Sequence, residues 1–346
     1  MRKWIFGLLI LLSIAVPVQA EGYTAPQAPD SAIAMVPEQP ETFSEGLATV
    51  LKEAVNYFYP ALREAASGCF GIVSIILLTS LLNNLPGATQ KVTDMVATIA
   101  IALLLLSNSS ALIRLGAKTV AEISEYGKLL LPVMTAAMAA QGGVSSSAAL
   151  YTGTMFFNAI LSGIISAVIV PMLYIYLCLC VAGCATGEEI LGKLVKFVKW
   201  SMTWCLKIIL YAFTGYMGIT GVVSGAADAA AIKATKLTIS GMVPVVGGIL
   251  SDASEAVLVS AGLVKSAVGV YGVLVIIALW IHPFLEIGMQ YLMLKATAGI
   301  CGIFGAKAPV KLVENFSGSM GMLLAMTGCV SVLLMVSVVC LMRGVV

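Results

Sequence analysis

Residues 148–186 read AALYTGTMFFNAILSGIISAVIVPMLYIYLCLCVAGCAT, 39 positions without a charged side chain. About 18 consecutive apolar residues suffice to cross a bilayer as a helix, so this stretch decides the fold class. Pro171 sits inside it, and a proline ends or kinks a helix. One kinked helix or two short ones satisfy the stretch, and the second reading would reverse everything downstream.

The rest of the chain repeats the message. Of 346 residues, 60% are apolar and only 10% charged, against about 25% charged in soluble domains. The composition excludes a soluble globular enzyme, and disorder needs low hydrophobicity and high net charge. The runs do not alternate polar and apolar as barrel strands do. What remains is an all-α polytopic membrane protein. Seven spans are expected: Cys69–Leu85, Met95–Ile113, Ala148–Val170 (reaching Ala185 in its longer form), Trp200–Val223, Val257–Ile281, Phe284–Gly305 and Gly318–Met342.

The chain opens as an export signal, residues 1–20. Arg2-Lys3 is a positive n-region, Trp4 to Val16 an apolar core, Pro17 a helix breaker, and Val18-Gln19-Ala20 a small-residue cleavage site. An uncleaved anchor is the alternative. No Cys follows the site, so a lipoprotein is not expected. Residues 21–41, rich in Pro, Ala and Glu, read as a flexible extracytoplasmic tether. Residues 42–66 read as an amphipathic extracytoplasmic helix, capped by Thr42 and Glu45 and stopped or kinked at Pro60. Its apolar face is Phe43, Leu47, Val50, Leu51, Ala54, Val55 and Phe58, set for a bilayer surface or a partner. Residues 67–346 form the multi-span membrane domain.

Charge fixes orientation. Residues 21–66 carry a net −5 and residues 67–346 a net +5. In 187–199, Ile190, Leu194, Phe197 and Val198 oppose Lys193, Lys196 and Lys199, a basic, aromatic-bearing helix suited to the cytoplasmic leaflet. The positive-inside rule puts it in the cytoplasm, and seven spans then put Arg343 there too. A second amphipathic stripe is Leu112, Leu115, Val120, Ile123 and Leu130, with Arg114, Lys118, Glu122 and Glu125 elsewhere on the helix. No clustered basic face suggests nucleic acid.

An internal repeat is expected over 92–186 and 200–306. Leu131-Pro132-Val133 precedes Pro171 by 39 residues, and Val243-Pro244-Val245 precedes Pro283 by the same 39. In the seven-span topology the copies run parallel. The alternative is coincidence in an apolar background. The broken segments Ala136–Ser147 and Ser240–Ser251 fit either cavity-lining backbone or surface loops, because irregular backbone at membrane depth must be buried in protein or line water.

Chemistry is sparse. The single histidine, His282, supports neither a metal site nor a triad and reads as a packed or interfacial polar group. Cys178, Cys180 and Cys184 cluster without a CxxC pair, and Cys commonly behaves as a small buried hydrophobe. No phosphate loop or nucleophile elbow is present, so no catalytic, cofactor-binding or metal residues are assigned and nucleotide energy would have to come from another subunit. The intramembrane charges are Lys207, Lys265, Glu286 and Lys295, with Asp94 at an edge; Glu286 and Gln290 share a helix face. Glycines are the stronger signal. Gly183/Gly187 and Gly221/Gly225 are GxxxG pairs, while Gly215, Gly218 and Gly221, and Gly299, Gly302 and Gly305, recur every third residue. They suit helix–helix packing or packing between subunits, a homo-oligomer included.

The stretch Ile239-Ser240-Gly241-Met242-Val243-Pro244-Val245-Val246-Gly247-Gly248, with Ser251-Asp252-Ala253 and Gly262-Leu263-Val264-Lys265-Ser266-Ala267-Val268-Gly269, resembles the stage III sporulation protein AE family of endospore-forming bacteria. The resemblance covers nearly the whole mature chain. It implies a multi-pass protein of the mother-cell membrane facing the forespore, with the acidic 21–66 segment in the intermembrane space. It implies a non-enzymatic subunit of a trans-envelope channel or secretion complex, energised by a secretion-type ATPase and joined to ring-forming intermembrane subunits. The alternative is a self-sufficient secondary transporter with a site near Pro132, Pro244 and Glu286.

Overall fold

The computed structural model describes residues 25–37, 43–83, 90–141, 143–242, 247–304 and 306–343, with backbone alone over 221–265. Among these the chain is helical throughout: α1 Asp30–Ile33, α2 Phe43–Asn83, α3 Gln90–Ala140, α4 Val144–Ile164, a π-helical turn Ile165–Ile169, α5 Val170–Thr186, α6 Glu189–Met242, α7 Gly247–Cys301, a 3₁₀ turn Gly302–Phe304, and α8 Lys307–Arg343. Six helical stretches among the described residues are long and apolar enough to cross a membrane: Phe43–Asn83, Gln90–Ala140, Val144–Thr186, Glu189–Thr220, Ser266–Phe304 and Lys307–Met342. The all-α polytopic membrane class stands.

α3, α7 and α8 form the centre; α2 lies along α7, while α4, α5 and α6 pack on the other flank. Neighbours are tied by hydrogen bonds across helices. Thr154 donates to Ser337 Oγ at 2.9 Å, Asn158 Nδ2 to Ser124 Oγ at 3.1 Å, and the Tyr216 hydroxyl to the Ala149 carbonyl at 2.9 Å. In an apolar surrounding a polar group without a partner is costly, so each contact fixes register.

Residues 148–186 are crossed by one continuous helix, and the π turn shows how. Pro171 has no N–H, and its ring would clash with the carbonyl of residue 167 in a regular α-helix. The wider turn over Ile165–Ile169 relieves that clash without ending the helix. The helix stops at Gly187, whose φ of +74° lies in the left-handed region. Gly187 is thus a helix terminator, and the Gly183/Gly187 pair is not a packing motif; Gly183 alone packs, against Leu191.

Four expectations differ from the structure. The break at Pro60 is absent: α2 runs unbroken through it. The buried positions Gly46, Val50, Ala54, Ala61, Ala65, Cys69, Ile72 and Ile76 keep helical spacing past Pro60, which itself is exposed. The proline therefore lies away from the packed stripe, where its lost hydrogen bond is least costly. The anticipated apolar face is split: its Val50 and Ala54 are buried and Leu47 half-buried. Phe43, Leu51, Val55 and Phe58 are exposed, and the small residues behind them pack on α7.

The tether expected over 21–41 is in part docked. Ala28, Ala32, Met35 and Val36 are buried, and Ser31 Oγ donates to Glu122 at 3.1 Å. Residues 21–24 and 38–41, like the signal 1–20, lie outside the described residues.

Finally, Val257–Ile281 and Phe284–Gly305 lie on a single helix up to Cys301, with Pro283 inside it. Neighbouring helices let a membrane helix tolerate proline, so no hairpin forms at His282-Pro283. The consequence is topological. Gly192 lies beside the Lys311 ammonium and Gly318 beside that of Lys199, so the start of α8 shares an end with Lys193–Lys199. Met342 packs on Gly269 and Met134, at the other end. The C-terminus of α8 lies opposite residues 187–199, not beside them.

Candidate functional site

Polar groups collect at two places between helices. The first lies among α2, α3 and α7. His282 Nε2 is 3.2 Å from Glu286 Oε1, one helical turn on, and the ring of Tyr57 meets the imidazole edge-on at 4.8 Å. On the next turns Glu286 and Gln290 face α2 and α3, where they enclose a void of about 30 Å³ with Ala61, Glu64, Asn108 and Leu112. That space admits a single water. Gln290 is only 5% exposed. An open cleft of about 560 Å³ adjoins the void through Glu64 and Asn108, with Tyr59, Pro60 and Arg63 on its walls. The shared face of Glu286 and Gln290 was readable from spacing alone. Glu64 and Asn108 were not, because nothing local signals which helices will meet.

The second lies among α6, α7 and α8, a cavity of about 360 Å³. Lys199, Thr203 and Lys207 stand on one face of α6, Tyr291 and Lys295 come from α7, and Glu314, Ser317 and Gly318 from α8. Two lysines singled out as intramembrane charges, Lys207 and Lys295, thus face one space. Their companions Lys199 and Glu314 are visible only in the fold. A Cβ on Gly318 would come within 2.9 Å of the Lys199 ammonium and 3.2 Å of the Tyr176 hydroxyl. Beside this cavity Phe197, Trp200 and Trp204 form an exposed aromatic row, with centroids 6.1 and 6.2 Å apart. Aromatic rings of this kind favour the membrane–water boundary.

Other singled-out residues fall elsewhere. Pro132 is within α3 near Leu130 and Met134, which pack on Gly272 and Gly269. Gly272 is 14 residues from Glu286, roughly 21 Å along a helix, so Pro132 and Glu286 do not share a site. Pro244 lies outside the described residues, as does the side chain of Lys265. Asp94 accepts a hydrogen bond from Asn83 at 3.1 Å, joining α2 to α3. Cys180 and Cys184 are buried, Cys178 is exposed, and no disulfide occurs among the described residues. No group of three His, Cys, Asp or Glu able to hold a metal occurs among the described residues.

The glycine contacts fall on unexpected positions. Gly215, Gly218, Gly299 and Gly302 have nothing within 4 Å of an added Cβ. The close approaches are at Gly127 against Leu334, Gly272 against Leu130, and Gly153, where the Tyr216 ring occupies the space of a Cβ. Gly221, Gly225 and Gly305 lie outside the positions described at side-chain level.

Fold and polar sites together define the class: a multi-pass helical membrane protein with one oxygen-rich void and one lysine-lined cavity between its helices. The chain belongs to the stage III sporulation protein AE family, whose model matches residues 36–344. It is similar to the stage III sporulation protein AE of Bacillus subtilis (strain 168), with 20% identity over 263 residues. That alignment covers 76% of this chain and 66% of the relative, just under two thirds of its length. No solved structure matches.

Proposed function

We propose that this protein is a non-enzymatic membrane subunit of a trans-envelope channel or secretion complex linking mother cell and forespore. In this reading a partner secretion-type ATPase supplies energy, ring-forming intermembrane subunits meet the 21–66 segment, and the protein sits in the mother-cell membrane facing the forespore. The observation that carries the sporulation role is the family match over residues 36–344. Support for a subunit comes from uncovered apolar surface. The α2 face bearing Val55 and Phe58 is exposed, and so is the α2–α3 hairpin around Phe70, Leu78, Leu81 and Leu103. Large exposed apolar patches in a membrane protein suit lipid or neighbouring subunits.

The second reading, a secondary transporter, retains Glu286 and its void but loses Pro132 from the site. Solute-swelling of vesicles containing the purified full chain separates the two. The subunit reading expects no flux above empty vesicles. Saturable flux abolished by Glu286→Gln would establish the transporter instead.

A further inference from the structure

We infer that the cavity among α6, α7 and α8 binds a phosphate group, carried by an anionic phospholipid or by a soluble phosphate. Three ammonium groups and one carboxylate line it, an excess of two positive charges. None of Lys199, Lys207, Lys295 and Glu314 takes part in the ion pairs found among the described residues, which are Lys118–Glu122 and His282–Glu286. Three cations around a partly enclosed space repel one another, and the one carboxylate lies beyond ion-pair distance of all of them. An anion between them removes that repulsion.

The cavity is built for this occupancy in a second respect. Lysines near a membrane boundary ordinarily extend their ammonium toward water. Lys199 keeps exposure, as do Lys207, Lys295 and Glu314, but its ammonium rests against Gly318 beside the Tyr176 hydroxyl, in space that a larger residue at 318 would fill. Thr203 and Ser317 also line it, with their hydroxyls donating to the Lys199 and Tyr291 carbonyls, so the ammonium groups are the donors left for an anion. A volume of about 360 Å³ lies within the ~300–1,000 Å³ range of small-molecule sites.

Its polarity is graded along the helix axes. Lys199, Lys295 and Glu314 lie toward the end that carries Lys193 and Lys196; Leu210, Met322 and Ala325 line the far part. A phosphate at the charged end with an apolar chain along the far part fits that gradient. Basic pockets between membrane helices on the cytoplasmic side characteristically hold lipid headgroups. Lysine serves such a site as a point charge.

The experiment follows thermal unfolding of the full-length protein in detergent. Phosphatidylglycerol, phosphatidylcholine and inorganic phosphate are titrated separately. The wild-type midpoint is expected to rise with phosphatidylglycerol beyond any rise with phosphatidylcholine. A rise with phosphatidylglycerol alone identifies a lipid phosphate, and an equal rise with inorganic phosphate identifies a soluble one. The double variant Lys207→Gln/Lys295→Gln is expected to need roughly thirtyfold more of the active ligand for half-saturation. The control Lys52→Gln/Lys128→Gln removes the same charge at exposed positions outside the cavity and is expected to titrate as wild type. Should the cavity double variant not fold, Gly318→Ala, which displaces the Lys199 ammonium and keeps every charge, is expected to weaken the response in the same direction. The inference is overturned if wild type responds to neither phosphate source, if the cavity variants titrate as wild type, or if the control loses as much as they do.

Discussion

At the residue scale, tight packing is set by a few glycines whose partners are aromatic or branched side chains on other helices. Gly153 is the most demanding, because the Tyr216 ring fills its missing side-chain position and the Tyr216 hydroxyl is held by the Ala149 carbonyl. Moving the ring breaks that bond. Gly153→Ala is expected to destabilise by about 1–3 kcal/mol, the usual cost of overpacking, seen as a lower unfolding midpoint in detergent. Gly269→Ala meets Cγ and Sδ of Met342, an unbranched side chain near the end of α8, and only Cε of Met134, and its midpoint is expected to fall less than that of Gly153→Ala. Asn158 spans two helices through Ser124. Asn158→Leu is expected to cost about 0.6–2 kcal/mol, the range for hydrogen bonds between membrane helices, read in the same assay. The sequence marked glycines as packing residues but could not rank them: Gly215 and Gly218 recur at a neat interval yet face no neighbour within the chain. Which glycine is tight depends on the residue opposite, and that is a tertiary fact.

At the element scale, local breakers lost to tertiary support. Pro60, Pro132 and Pro283 all lie inside helices, and Pro171 costs one π turn. The charge-free run at 148–186 and the stripe through Val120, Ile123 and Leu130 were legible, because both express the burial of apolar side chains at helical spacing. The orientation of α2 was legible only in part: Val50 and Ala54 of the expected face are buried, whereas Phe43, Leu51, Val55 and Phe58 are exposed. Over its first half the buried side is mostly small, Gly46, Ala54, Ala61 and Ala65 beside Val50, and the larger apolar residues next to it could equally have faced the bundle. Small residues win where backbones must approach closely, leaving Val55 and Phe58 outward. The outward face then makes a prediction. Val55→Glu/Phe58→Glu is expected to leave the protein inserted in the membrane fraction while lowering recovery of partner proteins in pull-downs severalfold; unchanged recovery would make this face a lipid contact.

At the scale of the whole molecule, continuity of α7 decides sidedness. With Gly192 and Lys311 at one end and Met342 at the other, an epitope inserted at Gly187-Glu188 and a tag after the C-terminus are expected on opposite faces. Under the positive-inside rule the former is cytoplasmic. Protease protection of right-side-out vesicles is expected to remove the C-terminal tag and spare the 187–188 epitope. α3 and α6 also run one way, and α4–α5 and α7 the other, which is the arrangement a parallel repeat over 92–186 and 200–306 would need; we propose that origin for the two halves.

The oxygen-rich void around Glu286 and the lysine cavity are each shared among three helices, so neither is complete in any single segment of the chain. The claim on which the functional account depends is that the protein works as one part of an assembly. Affinity isolation of the tagged protein from sporulating cells, with partners identified by mass, tests it most directly. The account predicts recovery of a secretion-type ATPase and ring-forming subunits in constant ratio to the tagged chain. Recovery of the chain alone, from membranes where those partners are present and intact, would contradict it.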